Sequence, residues 1–125
     1  MEEALRRQIK TAIQAALQGI RWRPGKDVAH LQTRKERGHL PADATLDDYH
    51  AIIRAVLGRP IARVFVYRFG DSLYPTIVAE VEAAPWLVML TSEGVMGTAF
   101  IVRDLNRYLV APQFEWLGQL EEVMV

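Results

Sequence analysis

The 125-residue sequence predicts an α+β domain: N-terminal helices, then a four- to five-stranded antiparallel meander with the helices packed on one face. Before Pro60 the apolar residues recur at three- and four-residue steps, the helical period. After Pro60 they gather in short runs rich in β-branched and aromatic residues, the composition of strands. The connections between those runs are too short for anything but antiparallel neighbours. The length suits one hydrophobic core, and no repeat, low-complexity tract or linker divides the chain, so residues 1–125 are read as a single domain.

Glu2–Ile20 is the first helix. Leu5, Ile9, Ala12, Ile13, Ala16, Leu17 and Ile20 form one stripe, and Glu2 and Glu3 sit at the positive end of its dipole. Trp22-Arg23-Pro24-Gly25 breaks the chain. Residues 26–44 have no clean period; a short helix or ordered loop over about 27–37 is expected. Thr45 then caps a helix with Asp48 three positions on, the spacing of a capping box. Its buried stripe is Tyr49, Ile52, Ile53, Val56 and Leu57, and Gly58 and Pro60 end it. Ile61–Phe69, Tyr74–Val81, Trp86–Thr91 and Val95–Val102 are the strands. Gly70-Asp71-Ser72, Glu82–Pro85 and Ser92-Glu93-Gly94 are the turns. Asn106–Val110 is compatible with a fifth, edge strand. Pro112 is placed to open a last helix with Phe114, Leu117, Leu120 and Met124 on one side.

The charges cancel overall but not locally. Residues 1–39 hold nine Lys/Arg against four Asp/Glu, and residues 40–125 hold six against eleven. A basic N-terminal third suits a phosphate partner, and equally suits a solvated helix face with a basic loop. With no cysteine there is no disulfide or thiolate site, and no apolar run is long enough for a signal peptide or a membrane span. A cytoplasmic protein without membrane association is the expectation. No His-Glu-x-x-His pattern, calcium loop, dinucleotide loop, phosphate loop or nucleophile elbow is present, so neither a metal nor a cofactor is expected.

The chemistry concentrates in HLQTRKERGHL, residues 30–40, where His30 and His39 bracket Arg34, Lys35 and Arg37. Metal-free cleavage of RNA needs a base for the 2′-hydroxyl, an acid for the leaving oxygen and fixed cations for the phosphate; imidazoles and guanidiniums supply these. An ordinary basic loop has the same composition. Thr98 alternates with Met96, Phe100 and Val102 on one face of the last strand, either as a β-former or as a donor to phosphate. Arg103 at the end of that strand, with Arg63 and Arg68 on the first, adds charge, and Tyr67, Phe69 and Tyr74 are able to stack bases if they face outward. His50, one turn before Arg54, reads as a half-buried structural histidine.

The order of a basic histidine-containing segment, a helix over Asp47–Leu57 and a meander ending in WLVMLT-SEG-VMGTAFIV resembles the barnase–EndoU–colicin–RelE-like fold of small metal-independent ribonucleases, its phage-associated branches in particular. The resemblance spans about residues 28–105 and rests on element order and residue pattern. It implies RNA as substrate, His30 or His39 as acid or base, Arg34, Lys35 or Arg37 for charge, and Thr98, in the place of a small hydroxyl residue on a late strand, for positioning; with the residue reading, Arg37 joins His30, His39 and Thr98 as catalytic, and Arg34, Lys35 and Arg103 bind substrate.

Two other readings stand beside the nuclease. One is a non-enzymatic homodimer joined through the second apolar sheet face, with Trp86, Phe114 and Trp116 exposed. The other is a nucleic-acid binder that keeps the basic third and lacks catalysis.

Overall fold

The computed structural model describes residues 2–125. Three helices come first, α1 (Glu3–Gln18), α2 (Lys26–Glu36) and α3 (Leu46–Leu57). Strands β1 (Arg63–Phe69), β2 (Ser72–Val81), β3 (Ala84–Leu90) and β4 (Met96–Ile101) follow as the expected meander. A short helix α4 (Leu105–Leu109), a fifth strand β5 (Phe114–Gln119) and a final turn of helix α5 (Leu120–Val123) complete the chain. The sheet is wholly antiparallel in the order β4-β3-β2-β1-β5, so the fold is α+β.

The helices cover one sheet face. Leu5, Ile9, Ile13 and Ala16 of α1 and Tyr49, Ile53, Val56 and Leu57 of α3 pack on Val64, Val66, Ile77, Trp86, Val88 and Leu90. Leu17, read as part of the α1 stripe, faces solvent instead. The Thr45 capping box forms as its spacing predicts: the Asp48 N–H donates to Thr45 Oγ1 at 3.2 Å, and the Thr45 N–H donates to Asp48 Oδ2 at 2.8 Å. Gly94 brings the β3–β4 turn onto α1. Its φ is +81°, and a Cβ there would lie 2.5 Å from the Ala12 carbonyl oxygen and 2.8 Å from Ala15 Cβ.

The tail differs from the sequence reading. Residues 105–109 are helical rather than an edge strand, because Asp104 Oδ1 accepts from the Arg107 N–H at 3.2 Å and starts a turn that sets Leu105 and Leu109 against the sheet. The residues after Pro112 form strand β5 rather than a helix. The free edge of β1 offers unpaired backbone groups, and β5 takes them, from Tyr67 opposite Phe114 to Arg63 opposite Gln119. Only Leu120–Val123 turn helical.

A second difference bears on the site. A register irregularity at the end of β3 pairs Met89 with Thr98 but Leu90 with Met96, leaving Gly97 as the extra residue. A Cβ on Gly97 would sit 3.1 Å from the Met89 carbonyl oxygen, so the bulge falls where no side chain is needed. Met96 therefore joins the helix-side core, whereas Phe100 and Val102 point to the opposite face with Thr98. Strict alternation would have put Met96 beside them.

Replacing Gly94 with Ala should lower stability by about 2 kcal/mol, from a left-handed backbone plus overpacking against α1. Chemical denaturation measures it; an unchanged midpoint would mean that the turn does not seat on the helix.

Candidate phosphate-binding cleft

Strand β4 lies at the edge of the sheet, and the chain seals it with one backbone carbonyl and two side chains. The Met96 N–H donates to the Arg21 carbonyl at 2.8 Å. Tyr49 Oη donates to the Ala99 carbonyl at 2.6 Å, and the Ile101 N–H donates to His39 Nδ1 at 3.2 Å. An unpaired edge invites association, and these three bonds close it. They also fix α2 and the loop after it along the rim of the second sheet face.

That face is divided. Leu105, Leu109 and Phe114 pack over Phe65, Val78 and Leu87, so the chain's own tail covers one part. Toward β4 a cleft of about 650 Å³ remains, lined by Arg34, Arg37, His39, Thr98, Phe100 and Arg103, with Tyr108 at its border. The basic residues 26–36 are helical, and the sequence spacing places His30 and Arg34 one turn apart on one face of α2. Lys35, one residue round the helix from Arg34, does not line the cleft. His30 is also outside the lining and reaches it through Thr98, whose Oγ1 lies 3.5 Å from His30 Nδ1.

Arg34 is the unusual member. It is only 7% exposed, yet no carboxylate pairs with it: the two ion pairs among the described residues are Arg6–Glu3 and Arg68–Glu115. Its guanidinium lies over the Phe100 ring, 5.5 Å from the centroid, and Nη1 donates to His39 Nδ1 at 3.1 Å. The Nε–H is buried without an acceptor. Nη2 has no protein partner and stays open to solvent. Burial lowers the Arg34 pKa, but a guanidinium keeps its proton.

The three histidines are biased toward the neutral form. Burial lowers the pKa of His30, and Arg34 and Lys26 lower it further. Burial also lowers His39, with Arg34, Arg37 and Arg103 adding to the effect. Two N–H groups point at His39 Nδ1, so the ring proton belongs on Nε2, which has no protein partner and is accessible from solvent. His39 thus presents a fixed N–H donor. His30 packs at a tilt of 38° against Trp22, with ring centroids 5.1 Å apart, and Trp22 Nε1 donates to His50 Nε2 at 3.0 Å. His50 has the half-buried structural setting read from the sequence, its pKa lowered by burial and by Arg54.

No family model matches the chain, and neither does any curated protein or solved structure. The cleft must therefore be read from its own chemistry. It offers three guanidiniums, a ring N–H and a hydroxyl, with no carboxylate in the lining, so it suits an anion with several oxygens. Among the described residues no group of three His, Asp or Glu side chains is placed to hold a metal, and no helix is long and apolar enough to cross a membrane.

Sequence reasoning passed over Trp22, Phe100 and Tyr108 as parts of the site. Tyr108 was hidden by the strand reading of the tail. The four-residue spacing of His30 and Arg34 was the signal for the shared helix face. Of the aromatics read as exposed, Trp86 is buried at 1% beneath His39 and Tyr49, while Trp116 is 52% exposed.

His30, His39 and His50 all have folded-state pKa values below the ordinary 6.5. On acidification the unfolded chain takes up protons first. Their contribution to stability is therefore full above about pH 6.5 and lost as pH falls through the folded values. Melting temperatures measured from about pH 8 to 5 should hold steady at first and then decline. His39→Gln, which retains an acceptor for the Ile101 N–H, should flatten part of the decline; a wild-type profile level down to about pH 5 would contradict the assignment.

Proposed function

We propose that the cleft binds the phosphodiester backbone of RNA, with Arg34 as its anchor. One observation carries this reading: a buried guanidinium in the cleft lining with no carboxylate, an orphaned Nε–H and an Nη2 without a protein partner. A charge withdrawn from water costs several kcal/mol unless an opposite charge meets it, and a phosphate entering the cleft is that partner. Arg37 and Arg103 stand at the rim to receive further phosphate oxygens, and planar guanidinium forks match two oxygens at a time. The His39 Nε2–H and the Thr98 hydroxyl add neutral donors. RNA as the polymer comes from the resemblance in element order and in the His, Arg and Thr pattern.

Metal-independent strand cleavage is the second reading, and the neutral His30 beside Thr98 favours it. In that scheme the Thr98 hydroxyl takes the proton of the 2′-hydroxyl as that oxygen bonds to phosphorus, and passes its own proton to His30. The bond from phosphorus to the 5′-oxygen breaks, and water supplies that oxygen with a proton. The product is a 2′,3′-cyclic phosphate. Arg34, Arg37 and Arg103 hold the charge that builds on the phosphate. His39 acts as a donor rather than as acid or base, because the bonds at Nδ1 oppose a second ring proton.

Fluorescence anisotropy with a labelled single-stranded RNA tests the binding. The log–log salt slope should be about −2 if three phosphates are neutralised. Arg34→Met should weaken binding at least ~10-fold while leaving the melting temperature of the free protein equal or higher, since an uncompensated buried charge is removed. Binding indifferent to salt and to Arg34→Met would end the proposal.

Incubation of RNA with excess chelator separates the two readings. Cleavage predicts cyclic-phosphate ends that persist with chelator and fall about 100-fold in His30→Ala. RNA that is bound and left intact selects the non-catalytic binder.

A further inference from the structure

A second cleft, of about 580 Å³, adjoins the cationic one and shares Val102 and Tyr108 with it. Its walls are Tyr67, Tyr108 and Phe114, with Asp104, Arg107 and Gln113 around them. The aromatic rings form a row that leads away from Arg34. Phe100, under the Arg34 guanidinium, is 6.1 Å from Tyr108; Tyr108 is 5.6 Å from Phe114; Phe114 is 4.8 Å from Tyr67. Tyr67 stacks at 6.5 Å and 8° on Phe69, which is 66% exposed at the end of β1.

Core packing explains only part of this row. Phe65, Val78, Leu87 and Leu109 are buried beneath it, but Tyr108 is 41% exposed and Tyr67 and Phe114 are half-buried, so ring surface is left to solvent along the cleft. The cleft is not an apolar groove of the kind that a helix or a second copy of the chain would fill. It mixes ring faces with two phenol hydroxyls, an amide, a guanidinium and a carboxylate. Asp104 already accepts the Arg107 N–H through Oδ1, which leaves its other oxygen available, and the Gln113 side chain has no partner among the described residues. Flat apolar faces with a few hydrogen-bonding groups at the rim, next to a cationic pocket, match the two ends of a nucleotide.

We propose that this aromatic cleft is a nucleobase subsite, where the base next to the phosphate held by Arg34 stacks against Tyr108 and Tyr67. The assignment rests on the phosphate reading of the cationic cleft and narrows the ligand to single-stranded nucleic acid. In a duplex the bases are stacked on one another, and their faces are closed to these rings. Tyr108, common to both clefts, sits at the junction between base and backbone.

The test compares two ligands of equal charge, an adenosine tetranucleotide (rA4) and the matching abasic ribose-phosphate tetramer, by titration calorimetry at low salt. The wild type should bind rA4 roughly 5- to 100-fold more tightly than the abasic tetramer, the range for one stacked base. Tyr67→Leu, at a ring that lines only the aromatic cleft, should remove most of that difference while leaving the abasic affinity unchanged, and Tyr67→Phe should retain it. Equal affinity for the two tetramers, or a Tyr67→Leu loss shared equally by both, overturns the subsite and leaves the phosphate site standing. If neither tetramer binds, the phosphate reading fails, and free adenosine decides the subsite by NMR. Shifts confined to the ring resonances of Tyr67, Tyr108 and Phe114 support the subsite; unmoved resonances overturn it.

Discussion

The open edge of β4 is the constraint on which the rest of this structure depends. A sheet that ends in an unpaired strand exposes backbone donors and acceptors, and this chain satisfies them with the Arg21 carbonyl, the Tyr49 hydroxyl and the His39 ring. Those bonds hold the connection after α1, the helix α3 and the loop after α2 to one line. Burial pushes the Tyr49 phenol upward, so it remains a donor to the Ala99 carbonyl at any ordinary pH. Sealing the edge and building the cleft are the same act: the loop that brings His39 to Ile101 also brings Arg34 over Phe100.

The cost of that arrangement is concentrated in Arg34. A lysine there would present a point charge without the planar stacking on Phe100, and a hydrophobic residue would pack with less desolvation. The guanidinium is buried with no carboxylate to offset its desolvation, and the phosphate proposal rests on that observation. Burial first, and the same cations second, hold His30 and His39 below the ordinary imidazole range, and the two N–H groups directed at His39 Nδ1 leave that ring a hydrogen-bond donor.

The second sheet face gains its asymmetry from the tail. Had residues 105–119 formed a strand and then a helix, as their pattern suggested, the aromatic row would not exist in this form. The short helix α4 places Tyr108 between Phe100 and Phe114, and β5, running back along β1, carries Phe114 beside Tyr67. The two clefts meet because one five-residue helix bridges them.

By itself the sequence determined the elements whose signal is local. The Thr45–Asp48 capping box, the three- and four-residue stripes of α1 and α3, the β-branched runs and the short turns each depend on residues a few positions apart. The α+β meander follows from them. The grouping of His30, Arg34, Arg37 and His39 was legible as a charged, histidine-bearing stretch, and Thr98 as a hydroxyl on an exposed strand position. Only the tertiary structure decided the rest, because it turns on partners distant in sequence. The edge of β1 chose β5 over a helix for Phe114–Gln119, and a bulge at Gly97 turned Met96 away from Thr98. Residues some sixty positions from α2 left Arg34 buried with no anion to answer it. Periodicity records which face a residue shows, whereas the packing of remote segments decides what that face meets.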